Sequence, residues 1–393
     1  MRTSLALVVA VVGCGRIGYD PAIDAGDDVD ALEVDTPDAG PVGTFMACGA
    51  PELLIDVGDT GGASASGGFY LDVAATTTGF VVGWQTGTGQ TYTSGLAISF
   101  DASGPYLDNI QSASMIASKF GPMSLAALGD DVLLGIDDEP SGVVKLFALA
   151  ETGYDRGGVQ VIDLRRAVGH DFVTADPARG QFLVATSTGS GTDLFVRDRD
   201  GKPVSGPFPL FSAGSESVAV RPFGAGYAAI TGNSGTCDLV LASAAYVADD
   251  ASRQSIAMTC HHASLVPDHD GDGVVAGWNC DNDRVWTTGG TPATALPAEH
   301  AVYGDGSNVA SSPRLATTTA GVWYGFAVGA DRLGRALLGD DSQVVTGGDG
   351  AVVYTDAGLK AHDVASHSDH AFLFWLRLDG LSSQLWAMRL CAP

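Results

Sequence analysis

The chain has 393 residues, with 46 Asp and Glu against 20 Lys and Arg, a formal net charge of −26. No stretch concentrates the basic residues, which excludes nucleic acid as a partner and excludes electrostatic attachment to anionic lipid, since both need clustered Lys and Arg. Hydrophobic residues make up 45%, enough for a large core, and the acidity is that of a soluble displayed surface, with attraction for cations such as calcium as the sharper reading.

In chain order, Met1–Ser4 is a short cationic segment and Leu5–Val12 an unbroken apolar run. The run is too short to cross a bilayer and reads as a secretory signal. It closes on Val11-Val12-Gly13-Cys14. These residues resemble the lipobox of bacterial lipoprotein precursors, although Val11 stands where Leu is commoner. The following Gly15-Arg16-Ile17-Gly18-Tyr19-Asp20 is similar to the mature start of many myxobacterial-type lipoproteins. The resemblance covers about the first twenty residues. It implies a signal peptide over 1–13, acylation of Cys14 with palmitate-type chains, and an exported protein held at the outer membrane by its lipid. Several acyl chains on one residue make a stable anchor, where one binds only marginally.

Gly13-Cys14-Gly15-Arg16-Ile17-Gly18 is also a literal G-x-G-x-x-G. A dinucleotide fold needs a helix to begin there, and Pro21 and Gly26 occupy its path. Residues 14–47 carry eight acidic side chains, from Asp20 to Asp38, against Arg16 alone, punctuated by Pro and Gly. Such a segment buries too little apolar area to offset its ordering entropy and reads as an extended tether.

From residue 48 onward an apolar run recurs. It starts at Phe80, Val132, Phe182, Tyr227, Val274, Val322 and Phe372, with steps of 45 to 52 residues. An alternating strand precedes each run, a polar turn separates the two, and one or two further strands follow. Four strands in a unit of that length is the pattern of a β-propeller. The expectation is an all-β, seven-bladed β-propeller over 48–393, with the recurring run as the second strand of each blade. The outer strand of the sixth unit has two candidates, Val344-Val345 and Val352-Val353-Tyr354. The last unit ends on a third strand, Gln384–Cys391. Glu52–Val57 is the candidate to supply its fourth and close the ring.

Export implies an oxidising compartment. Cys48 and Cys391 flank the proposed closure and would staple it. Cys237 and Cys260 lie about a turn near residue 248, as partners in an antiparallel hairpin. Cys280 competes for Cys260.

Two constellations could hold metal. Asp268, Asp270 and Asp272 alternate before Gly273 and resemble the calcium loops of FG-GAP propeller repeats, which implies calcium at that turn; Ala276 stands where the family's later acidic ligand belongs. His261, His262, His362, His367 and His370, with Asp363 and Asp369, offer imidazole and carboxylate donors for zinc. No nucleophile elbow or P-loop occurs. The reading is therefore a monomeric, lipid-anchored propeller that binds a protein or glycan ligand or acts as a scaffold. The alternative is a polysaccharide lyase or glycosidase working at the channel mouth. His, Arg, Tyr or carboxylates converging there would favour the enzyme, and Gly, Ser and Thr the scaffold.

Overall fold

A computed structural model describes residues 48–391 apart from loop segments, of which the longest are 60–68, 113–121, 292–299 and 304–312. The signal segment, Cys14 and the acidic tether lie outside the described residues. The fold is an all-β propeller of four-stranded antiparallel blades.

Among the described residues there are seven four-stranded sheets. We number them by their inner strands in chain order: Phe69–Ala75, Met123–Leu128, Val173–Asp176, Ser217–Phe223, His262–Pro267, Arg314–Thr318 and Leu359–His367. Each inner strand lies against the next, and the seventh against the first. The seventh sheet takes its outer strand from the other end of the chain. Pro51–Asp59 pairs antiparallel with Ser382–Leu390, with Pro51 opposite Met388 and Asp59 opposite Ser382.

Burial follows position in the blade. The second strands Asp131–Asp138 and Gly321–Val328 are buried at every residue, because a neighbouring sheet covers each face. The third strand Val143–Ala150 alternates, and the outer strand Pro203–Phe211 is exposed over its first five residues. Packing between sheets seven and one joins Leu54, Leu71, Phe80, Trp84, Phe374 and Leu385 in one apolar cluster. The Phe80 ring stands edge-on to Phe372 and Phe374 at 5.1 and 5.3 Å.

The glycine inside the recurring run has a spatial purpose. Gly83, Gly135, Gly277 and Gly325 pair with Asp72, Ser124, Ser264 and Arg314 of their own inner strands. A Cβ at Gly83 would stand 2.9 Å from Leu125 Cδ1, one at Gly135 2.5 Å from Phe172 Cε2, and one at Gly277 2.6 Å from Tyr324 Cε2. Only a bare backbone lets the following sheet come this close.

One sequence expectation needs correction, and one open choice is settled. In sheet four the turn lies over 243–247, with Ala242 opposite Ala248, earlier than the expected centre near 248; bulges then carry the register toward Cys260 but leave Cys237 opposite Ala257. Cys260 lies past the end of that strand, on the link to sheet five, and bonds Cys237 from there with the Cα atoms 5.4 Å apart. In sheet six Ala351–Thr355 is the outer strand, and Val344 makes an isolated bridge to Leu338.

Candidate functional site

Side chains of the inner strands alternate between the two faces of each sheet, and each face meets a neighbouring sheet. At one level the positions turned toward the following sheet are polar. Asp72, Ser124, Ser217, Ser264, Arg314 and Asp363 all come from inner strands and all are buried.

Several of these side chains reach across to the backbone of the following sheet. Val73 N donates to Asp363 Oδ2 at 2.6 Å, and Leu125 N donates to Asp72 Oδ2. Val173 N donates to Ser124 Oγ at 3.1 Å, and Ala263 N to Ser217 Oγ at 2.9 Å. Inner strands of neighbouring blades are too far apart for a continuous ladder, so side-chain oxygens satisfy these donors.

Asp171, just ahead of the third inner strand, accepts from Ser264 Oγ at 2.7 Å and from Arg221 Nη2 at 3.1 Å. Arg221 also donates to Thr174 Oγ1. Arg314 is 3% exposed. Its Nη2 donates to Leu71 O at 3.2 Å. Its Nε stands 3.6 Å from Asp363 Oδ1, and its Nη1 stands 3.9 Å from both Asp72 Oδ1 and Asp171 Oδ1. Those three separations are ion-pair distances, too long for direct hydrogen bonds. Asp72, Asp171, Arg221, Arg314 and Asp363 share a cavity of about 230 Å³, whose apolar walls include Val73, Leu125, Val266 and Leu315.

The titration behaviour follows from burial and contact. Burial pushes Asp72 well above the usual carboxylate range, and the neighbouring Asp363 raises it further against the pull of Arg314. Burial also raises Asp363, while Arg314 and a hydrogen bond from Asp72 oppose the rise. Burial thus disfavours the anion at both carboxyls, more strongly at Asp72. Burial also disfavours the Asp171 anion, but Arg221, Arg314 and the Ser264 hydroxyl outweigh it and hold its pKa below the ordinary value. His362 is brought down to about 3 by burial and then by Arg314, against a hydrogen bond to the Gly325 backbone. His170 is lowered by burial, then by Arg314 and by His262 and His362. Its ring lies 5.7 Å from that of Tyr70.

The residues singled out from sequence are dispersed. Cys14 lies outside the described residues. Cys48 and Cys391 are joined by a disulfide with Cα atoms 5.6 Å apart. The Asp268 carboxylate turns back to accept from Gly271 N at 2.7 Å, within a turn closed by Asp268 N donating to Gly273 O at 3.1 Å. Asp270 pairs with His269 at 3.1 Å, with Asp270 64% exposed. Asp268 and Asp270 are thus each engaged separately, and among the described residues no three His, Cys, Asp or Glu side chains gather closely enough to hold a metal ion. The histidines separate as well. His262 and His362 join His170 near the channel, His367 meets Thr77 O at 3.2 Å, and His370 meets Arg389 at 2.9 Å. His261 and Asp369 fall outside the described residues. Sequence reasoning missed Asp72, Asp171, Arg221 and Arg314. For Asp72 and Arg314 the available signal was a polar residue in an apolar inner strand, opposite the glycine of the recurring run; Asp171 and Arg221 carried no such signal.

With this geometry in view, comparison with known proteins adds the following. The structure is similar to "Kuenenia stuttgartiensis Hydrazine Synthase", with a TM-score of 0.57 and 14% identity over 83% of this chain and 97% of that one. It also resembles "Structure of Dos1 propeller", with a TM-score of 0.48 and 10% identity over 80% and 76% of the two chains. The likeness is one of fold. No family model matches the sequence, and no curated protein matches it.

Proposed function

We propose that this protein is an envelope lipoprotein whose propeller binds a ligand in its central channel without transforming it. In this reading the seven sheets are the blades of one ring, closed by Pro51–Asp59 and stapled by Cys48–Cys391. Lipid on Cys14 holds the ring at the outer membrane through the acidic tether. The succession of inner-strand neighbours supports the ring, and the lipobox residues support the anchor.

The observation that carries the binding reading is Arg314. It is a buried guanidinium that donates from Nη2 to Leu71 O, with its other two nitrogens directed among carboxyls too distant to accept directly. A buried charge is costly unless its donors are used, so a site with spare donors in a cavity is built to receive acceptors.

The second reading is a polysaccharide lyase or glycosidase, and the convergence of Asp, Arg and His on the channel favours it. Asp72 and Asp363 weigh against that reading, because each already accepts from a backbone N–H of the following sheet. Glycosidase carboxyls stand about 5 to 9.5 Å apart, on either side of the bond they cleave.

Two measurements test the proposal. In an acyl-labelling and fractionation experiment, Cys14→Ala should lose both the label and the membrane fraction; continued acylation would remove the anchor. Purified protein incubated with neutral and acidic polysaccharides should leave no new reducing ends and no unsaturated products. Turnover that Asp72→Asn abolishes would establish the second reading.

A further inference from the structure

Resting on the ligand-binding reading above, we infer that the channel takes a neutral, hydroxyl-rich ligand: a free monosaccharide, a small polyol, or the terminal ring of a glycan. The charge balance of the cavity points to it. Three carboxyls, Asp72, Asp171 and Asp363, face two guanidinium groups, Arg221 and Arg314. Acids and guanidinium groups thus interleave around one small space, so neither sign of charge stands alone. An anionic ligand would approach Arg314 through three carboxyls that already surround it. A cationic one would meet Arg314 itself.

The distances favour a hydroxyl in particular. Arg314 Nε and Nη1 are donors that stand 3.6 to 3.9 Å from the oxygens of Asp363, Asp72 and Asp171. A group placed among them has to accept from the guanidinium and donate to a carboxylate at once. A hydroxyl does both, whereas a carbonyl or a carboxylate only accepts and an ammonium only donates. Adjacent hydroxyls on one ring can span Arg314 and Asp171 together. The apolar walls formed by Val73, Leu125, Val266 and Leu315 suit the C–H faces of such a ring. A volume of about 230 Å³ suits a single ring.

The test uses the full-length protein in detergent and ligand-observed NMR with four sets of probes: neutral hexoses and polyols, uronic acids, amino sugars and inorganic phosphate. The expected result is saturable binding of a neutral probe. Arg314→Lys should weaken it at least tenfold, because the planar donor edge is lost. Ser366→Phe, which fills the half-buried rim of the same cavity and leaves the polar floor intact, should abolish it while the melting temperature holds. The second variant keeps the test decisive if Arg314→Lys does not fold. An oligosaccharide ending in the preferred ring competes if the source is a glycan; it fails to compete if the source is a free solute. Binding confined to charged probes overturns the neutral-ligand inference and leaves the binding reading standing. Neutral binding that both variants retain places the site elsewhere and also overturns the inference. If no probe of any charge binds, the channel is not a small-molecule site and the binding reading falls with it.

Discussion

At the residue scale, the buried acids and imidazoles near the channel pull stability in opposite directions as pH changes. His362 and His170 have lowered folded pKa values, so their contribution is present above the free-imidazole value of about 6.5 and is lost as pH falls toward the folded value, about 3 for His362. Asp72 is raised, so its contribution is complete below the free-carboxyl value of about 3.9 and is lost as pH rises through its folded pKa. In thermal melts across a pH series, His362→Gln should flatten the acid loss between about pH 6.5 and 3 relative to the parent. Asp72→Asn should flatten the loss on the alkaline side, since an amide keeps a donor toward Asp363 with no proton to lose. If both variants run parallel to the parent curve, neither group titrates as described. These residues were hard to read from sequence for a physical reason. A polar residue alternating with apolar ones in a strand ordinarily faces solvent, and Asp72 between Leu71 and Val73 fits that pattern. Here the alternate face packs against the following sheet, so the same pattern encodes burial.

At the scale of elements, the period of the recurring run made the strands legible, and its apolar content identified the second strand of each sheet. Register was less legible. Cys237 and Cys260 do bond, but the turn falls earlier than the expected centre near 248, and bulges, which no residue spacing announces, recover only part of that difference, so Cys260 stays past the strand. The glycine in the run does the opposite of packing. It vacates space so that the next inner strand can sit close enough for Asp72 to reach Leu125 N. Gly135→Ala should therefore cost about 1–3 kcal/mol, because Phe172 and Val173 must move in a filled interface. Gly189→Ala, where an added Cβ meets nothing within 4 Å, is the control and should change stability by less than about 0.5 kcal/mol. Urea unfolding of the two variants checks this, and equal effects would remove the spacing argument.

For the molecule as a whole, the two ends of the described chain meet in sheet seven. Gly49 N donates to Arg389 O at 3.0 Å, one residue from the Cys48–Cys391 disulfide, and that bond spans 343 positions. Constraining so long a loop limits the unfolded chain most, and replacing both cysteines by serine should lower stability by about 2–5 kcal/mol. Calorimetry and limited proteolysis of the double variant check this, with first cleavage expected in residues 48–59. Unchanged melting and cleavage would show that the hydrogen-bonded strand suffices. The arrangement also has a mechanical consequence. The outer strand Pro51–Asp59 is held along one edge only, and an edge strand pulled from its end would peel away one hydrogen bond at a time. Because Cys48 precedes that strand and is covalently tied to Cys391, tension arriving from upstream passes through sulfur into the end of Ser382–Leu390, a strand flanked on both sides. The weakest strand of the sheet is thereby taken out of the line of force.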